Sequence, residues 1–265
     1  HVPSAAVAAL VQEAIEARGA TVVDGTDAAR RVRRTKSPAE IAYVEKAAEI
    51  CDTGLLHLGQ VLRPGMTELE AWAEMTSAMA QAGGEPAALH NTAVLGGIGV
   101  GHTIAGRRVI HEGDFLEVDP CGVFNHYHAN RNMVYFLGEP PPAAVALMEV
   151  LAGAYDVIRA AGTVGTPVRD LNRALKDYYI EQGVWHLNSQ YWVGGYELGT
   201  SFPPDWVGDW LYTVNSEDAP GVIEEGLVTN FESIIGLGIL DTIVYQAAGT
   251  RTLSKIPHEI ISVPC

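Results

Sequence analysis

Two helix breakers at matching places constrain this chain more than any other feature. Pro64-Gly65-Met66-Thr67-Glu68-Leu69 separates one pair of apolar-periodic helical stretches, and Val164-Gly165-Thr166-Pro167-Val168-Arg169 separates another. The first pair begins at Ser37-Pro38-Ala39-Glu40. There Ser suits an N-cap, Pro the first helical position, and Glu three residues on completes a capping box. Its apolar stripe runs through Ile41, Val44, Ala47, Ala48, Cys51 and Leu55, and the second helix ends at Gly83-Gly84. The later pair spans residues 140–161 and 168–182. Strand-like runs follow each pair: 91–95 and 113–138 in the first half, then 191–200, 227–235 and 239–247. Two α-α-β-β units predict an α+β fold with an internal pseudo-twofold and the sheet in the middle. A site between the halves would be lined by strands.

Residues 113–138 read as a β-hairpin with its turn at Pro120 and Gly122. Side chains alternate along a strand, so His128, Asn130 and Asn132 share one face of the return strand, with Asp119 opposite. Taken alone, such a face is an ordinary polar surface. Its interest depends on the rest of the chain.

Composition narrows the classes. The chain has 265 residues, 48% hydrophobic and 18% charged, enough for one large globular domain. A formal net charge of −15 excludes a phosphate-backbone partner and is compatible with a small cationic or zwitterionic substrate. Cys51, Cys121 and Cys265 lie far apart with no metal spacing, which predicts reduced thiols and a cytoplasmic location. No apolar run approaches the ~20 residues of a membrane span. At the N-terminal end, a helix over 4–18, a short strand at Ala20–Val23 and the basic connector Arg30–Lys36 cannot form a core alone. Residues 1–34 are therefore expected to be the remnant of a preceding domain, with 35–265 as the main domain.

Five motifs in order carry a family resemblance: Arg34-x-Lys36-Ser37-Pro38-x-Glu40-Ile41, the Gly113-Asp114 strand start, Gly195 to Gly199, the run from Glu224 to Glu232, and Asp241-Thr242-Ile243-Val244. From residue 30 to about 255 the chain resembles the pita-bread fold of methionine aminopeptidases, prolidases, aminopeptidase P and creatinase. The resemblance implies two pseudo-symmetric halves around a curved, mostly antiparallel sheet. The peptidases of that fold hold two metal ions with two Asp, one His and two Glu. Those positions fall here on Asp119, Asn130, Tyr196, Glu232 and Leu240, so the resemblance implies a member short of metal ligands, with no cofactor. A rebuilt mononuclear site from His126, His128, Asp119 and Glu232 is the metal-dependent alternative.

Creatinase, in the same fold, works without metal through a histidine, which aligns with His102 after Gly99-Val100-Gly101. The resemblance thus implies a creatinase-like hydrolase cleaving a C–N bond in a small cationic or zwitterionic compound. His102, Tyr196 and Glu232 would carry the chemistry. Asp119, His128, Asn130, Asn132, Glu197 and Trp206 would contact the substrate. Gly195-Tyr196-Glu197-Leu198-Gly199 with Phe202-Pro203-Pro204-Asp205-Trp206 looks most like the branch of ectoine hydrolase and dimethylsulfoniopropionate lyase. A lyase, an Xaa-Pro peptidase-like metallohydrolase and a non-catalytic binding module remain alternatives. Relatives with an N-terminal domain imply a homodimer.

Overall fold

The computed structural model describes residues 4–96, 103–186, 192–201 and 210–265. Its helices are α1 (Ala5–Glu16), α2 (Thr26–Arg34), α3 (Pro38–Val61), α4 (Glu68–Gln81), α5 (Pro142–Ala161) and α6 (Val168–Glu181). The strands of the first half are β1 (Thr92–Leu95), β2 (Phe115–Asp119), β3 (Cys121–Phe124), β4 (Tyr127–Asn130) and β5 (Met133–Leu137). The later strands are β6 (Val193–Tyr196), β7 (Leu211–Thr213), β8 (Val228–Ile235), β9 (Leu237–Val244), β10 (Arg251–Thr252) and β11 (Ile260–Val263). They form one sheet in the order β1-β2-β5-β11, a second in the order β10-β9-β8-β6-β7, and the β3-β4 ribbon. All pairs are antiparallel except β5 with β11.

The two breakers fold alike, bond for bond. Gly65 and Gly165 both have φ +92°, a conformation that costs glycine nothing. Gly65 N–H donates to the Ile110 carbonyl and Gly165 N–H to that of Ile223, each at 2.8 Å. In return, Ile110 N–H reaches Met66 O and Ile223 N–H reaches Thr166 O. The capping box predicted at Ser37 forms, and the structure shows a second at Thr67: each hydroxyl accepts from the backbone of Glu40 or Glu70, whose carboxylate returns to the cap. Helices α5 and α6 pack on β8 and β9 around Tyr155, Leu171, Phe231 and Ile243, while α3 and α4 pack on β2 and β5 around Leu55, Met75, Leu116 and Tyr135.

Three local expectations need correction. The hairpin turn lies at Asn125-His126, both with positive φ, in the two-residue form that suits strand twist. The Glu85 carboxylate accepts from both of their N–H groups, at 2.8 and 2.9 Å. Pro120, which has no N–H for a ladder, instead marks where the outer β2–β5 pair gives way to the inner β3–β4 pair. Residues 20–23 form no strand and pair with none of the described strands. The basic connector is helical through Arg34: Asp24 accepts from Thr26 N–H at its start, and Arg31, Arg33 and Arg34 suit the negative end of its dipole.

The halves meet where Asn132 N–H donates to Leu240 O (3.2 Å) and Thr242 Oγ1 both accepts from Asn130 N–H and donates to Asn130 O, at 3.0 Å each. Arg131, almost fully buried, donates to the carbonyls of Asn132, Leu240 and Pro257. The β3–β4 ribbon lies so close on α3 that a Cβ at Gly122 would stand 2.0 Å from the Ala47 carbonyl oxygen. Gly122→Ala is therefore expected to destabilise the fold by ~3 kcal/mol or more, read as a lower midpoint in urea denaturation.

Candidate active site

Strand alternation aims Glu117 and Asp119 from one face of β2, and the end of β4 with the link to β5 supplies an amide for each. Asn132 Nδ2 donates to Glu117 Oε1 at 2.8 Å, and Asn130 Nδ2 donates to Asp119 Oδ1 at 3.2 Å. From the other half, β8 brings Glu232 toward the same place. Its Oε1 accepts from Asn230 Nδ2 at 2.8 Å, and the Tyr196 hydroxyl donates to the same carboxylate. Asn230 Oδ1 in turn accepts the Tyr196 N–H at 3.0 Å, so one amide fixes β6 and Glu232 together. Bare backbone makes this approach possible: a Cβ at Gly195 would meet the Asn230 carbonyl oxygen at 2.2 Å.

The electrostatics follow from burial. Desolvation, with the neighbouring Asp119 charge, pushes Glu117 up to about 8, and the Asn132 hydrogen bond only partly opposes it. Desolvation and then the Glu232 charge push Asp119 up to about 7. Burial also raises Glu232, against the lowering effect of its Tyr196 and Asn230 hydrogen bonds. Burial thus raises all three carboxyl groups, and the charge of a neighbouring acid adds to the shift of Glu117 and Asp119. Tyr196 is raised by desolvation and by Glu232, which keeps its phenol a donor.

The structure brings together Asp119, Asn130, Asn132, Tyr196 and Glu232 from the residues expected at the site. It does not bring His128 or Glu197 to them. His128 is buried with both ring nitrogens engaged by main chain: Nδ1 with His126 O at 2.9 Å, and Nε2 with Ala88 N–H at 3.2 Å. It pins the 85–88 segment on the β4 ribbon, and burial lowers its pKa. Glu197, the next residue after Tyr196 and so turned to the other side of the chain, makes a buried ion pair with Lys36 Nζ at 2.6 Å. His102 and Trp206 lie outside the described residues. Glu117 and Asn230 were not expected. The signal for Glu117 was its spacing, two residues before Asp119 on the same strand face.

Comparison with known proteins agrees with this architecture. The profile of metallopeptidase family M24 matches residues 42–251, and the chain belongs to that family. It is 27% identical to the probable dipeptidase PepE of Mycobacterium bovis over 264 residues, 94% of this chain and 66% of that protein. The ectoine hydrolase of Halomonas elongata is 25% identical, over 86% of this chain and 60% of its own length. Among solved structures, the X-Pro aminopeptidase of Thermotoga maritima superposes with a TM-score of 0.82 at 21% identity, covering 98% of this chain and 72% of that one. The pita-bread fold is thereby shown. The chain spans just under two thirds of the length of these curated relatives.

The residues at the family's metal-ligand positions do not fit a dinuclear centre. Asn130 presents an N–H to Asp119 where the resemblance implies an anionic oxygen, and Tyr196 donates to Glu232. Leu240 lies directly across from Glu232 in the β8–β9 register and offers only hydrocarbon. Hard divalent cations need several anionic oxygens. Among the described residues no group of three or more His, Cys, Asp or Glu could hold a metal ion. The rebuilt site fails too, because His128 is engaged by backbone and His126 reaches toward Glu85 at 3.6 Å from the far end of the ribbon.

The raised carboxyls predict an unusual stability profile. The unfolded chain ionises these groups near their ordinary 3.8 and 4.5, whereas the folded chain holds protons to about 7 and 8. The folded state then binds more protons in that window, so stability falls as pH rises from about 4.5 to about 8. Urea denaturation across that range is expected to show the fall, and Asp119→Asn to make its slope shallower.

Proposed function

We propose that this chain is a metal-independent member of family M24 that hydrolyses a C–N bond in a small cationic or zwitterionic compound. One observation carries the reading: at two positions of the family's metal ligands, the Asn130 amide and the Tyr196 phenol donate hydrogen bonds to the two remaining carboxylates. Such a set stabilises charge on Asp119 and Glu232 without a cation of its own, and a positively charged substrate group compensates the rest. Binding of that group would draw the carboxyls toward their ionised form. Asn230 and Tyr196 hold Glu232 in place, as Asn130 holds Asp119. His102 is proposed as the proton carrier: it takes a proton from the attacking water and returns one to the departing nitrogen. Ectoine hydrolase, among the relatives, supports a small zwitterion as the substrate class.

Two measurements test this. Elemental analysis of protein dialysed without chelator is expected to find well under one equivalent of transition metal per chain, and turnover to survive chelation. Stoichiometric zinc, manganese or iron together with loss of turnover on chelation would overturn it. A screen of guanidino, ammonio and cyclic amidine compounds by thermal shift, followed by kinetics, supplies the substrate. On it, His102→Ala is expected to lower kcat roughly 10²–10⁴-fold with little change in affinity. Glu232→Gln is expected to weaken binding more than it slows the chemical step.

A further inference from the structure

Away from the acid cluster, one histidine is held more firmly than a surface imidazole requires. His258 Nε2 lies 2.8 Å from Asp241 Oδ2, and Asp241 is 1% exposed. A carboxylate oxygen only accepts, so the ring hydrogen is on Nε2. Tyr155 lies against the ring with centroids 4.2 Å apart, and its own hydroxyl is fixed by donating to Phe231 O at 2.7 Å. Pro257, the residue before, gives its carbonyl to Arg131 at 3.1 Å. The plane, the tilt and the backbone of His258 are all set.

Strand alternation separates this place from the acid cluster. In the β8–β9 register Leu240 lies across from Glu232, whereas Asp241 lies across from Phe231, in the core under α5. Asp241 therefore turns to the α5 side of the sheet and Glu232 to the other. On the α5 side, His258 lines a cavity of about 490 Å³ together with Met148, Glu149, Asp156, Arg159, Glu259 and Ile260. That is the size of a small-molecule site. Nδ1 has no partner among the described residues and is not enclosed. Burial lowers the pKa of the ring; the Asp241 hydrogen bond opposes this, and the charges of Arg131 and Arg159 add to it. Nδ1 is then a bare acceptor on the cavity wall.

The rest of the lining shows which donor fits. The Arg159 guanidinium is taken by Asp156, which leaves the exposed Glu149 and Glu259 without a countercharge in the lining. A carboxylate ligand finds no free donor here and meets two like charges. A primary ammonium brings three N–H donors and no acceptor, and an alkyl chain attached to it covers Met148 and Ile260. We infer that His258, oriented by Asp241, is the hydrogen-bond acceptor of a second binding site on the α5 side of the sheet, for a small alkylammonium ion. The site shares no residue with the acid cluster, and the proposed hydrolysis does not use it.

The test is a nuclear magnetic resonance titration of the whole chain, which reads this ring directly. The His258 imidazole signals are assigned by their loss in His258→Phe, which keeps a ring against Tyr155. Butylamine, butanol and butyrate, matched in length, are the probes, at constant ionic strength near neutral pH. Butylamine is expected to shift the His258 signals saturably, and butanol and butyrate to leave them in place. Glu149→Gln and Glu259→Gln, both at exposed positions, are each expected to weaken butylamine about two- to fivefold, as for a solvent-exposed charge pair. Glu232→Gln, in the acid cluster, is expected to leave the affinity read at His258 unchanged. Should His258→Phe misfold, judged by circular dichroism, His258→Gln supplies the assignment, and the two glutamate variants still decide the matter. The inference is overturned if butylamine leaves the signals unshifted or if butanol or butyrate shifts them as strongly. It is also overturned if neither glutamate variant weakens butylamine, or if Glu232→Gln abolishes the shift.

Discussion

A buried guanidinium holds the two halves of this protein at the spacing the site requires. Arg131 has only 2% of its surface exposed, yet its partners are the carbonyls of Asn132, Leu240 and Pro257, drawn from three separate segments. Burying a full charge this deeply is costly unless it is hydrogen-bonded, and main-chain carbonyls supply those bonds. Burial raises Asp52 and lowers His258, and the Arg131 charge opposes the first of these shifts and adds to the second. The flanking residues, Asn130 and Asn132, are the ones whose amides reach Asp119 and Glu117. Fixing Arg131 therefore fixes the line along which both carboxylates are held.

Around that line, electrostatic stability comes from hydrogen-bond donors. Each carboxylate of the site accepts from an amide, and Glu232 accepts from a phenol as well. Donors of this kind soften the repulsion between neighbouring acids but do not cancel it, so protons remain on the cluster near neutrality. The site is in this respect opposite to the Lys36–Glu197 pair, where a lysine Nζ lies 2.6 Å from a buried carboxylate.

Much of this was legible in the sequence. Breakers, a capping box and strand alternation point to the helix pairs, the central strands and the nearness of Asn130 and Asn132 to Asp119, while Tyr196 and Glu232 enter through the family resemblance. The hairpin turn was misplaced because Pro120-x-Gly122 is stronger turn chemistry on paper than Asn125-His126. Glu85, forty residues away, stabilises the latter turn, and no local pattern shows it. His128 and Glu197 illustrate a second limit. Both are polar residues beside the site in sequence, but tertiary partners claim them: Ala88 and His126 for the imidazole, Lys36 for the carboxylate. Glu117 shows the converse, since a lone acid in a strand reads as a solvent-facing residue until its surroundings are known.

The parallel pairing of β11 with β5 bears on how such a molecule is made. Ile260 to Val263 lie against Val134 to Leu137, so the edge of the first half's sheet is covered by residues from beyond the whole second half. On a ribosome, the first half emerges with that edge bare, and its β5 is apolar throughout. An uncovered apolar edge is a template for wrong pairing. The long sequence separation also makes the closing step slow. Strand β2, which carries Glu117 and Asp119, belongs to this unfinished sheet, and the acid cluster also waits for Glu232 on β8 of the second half.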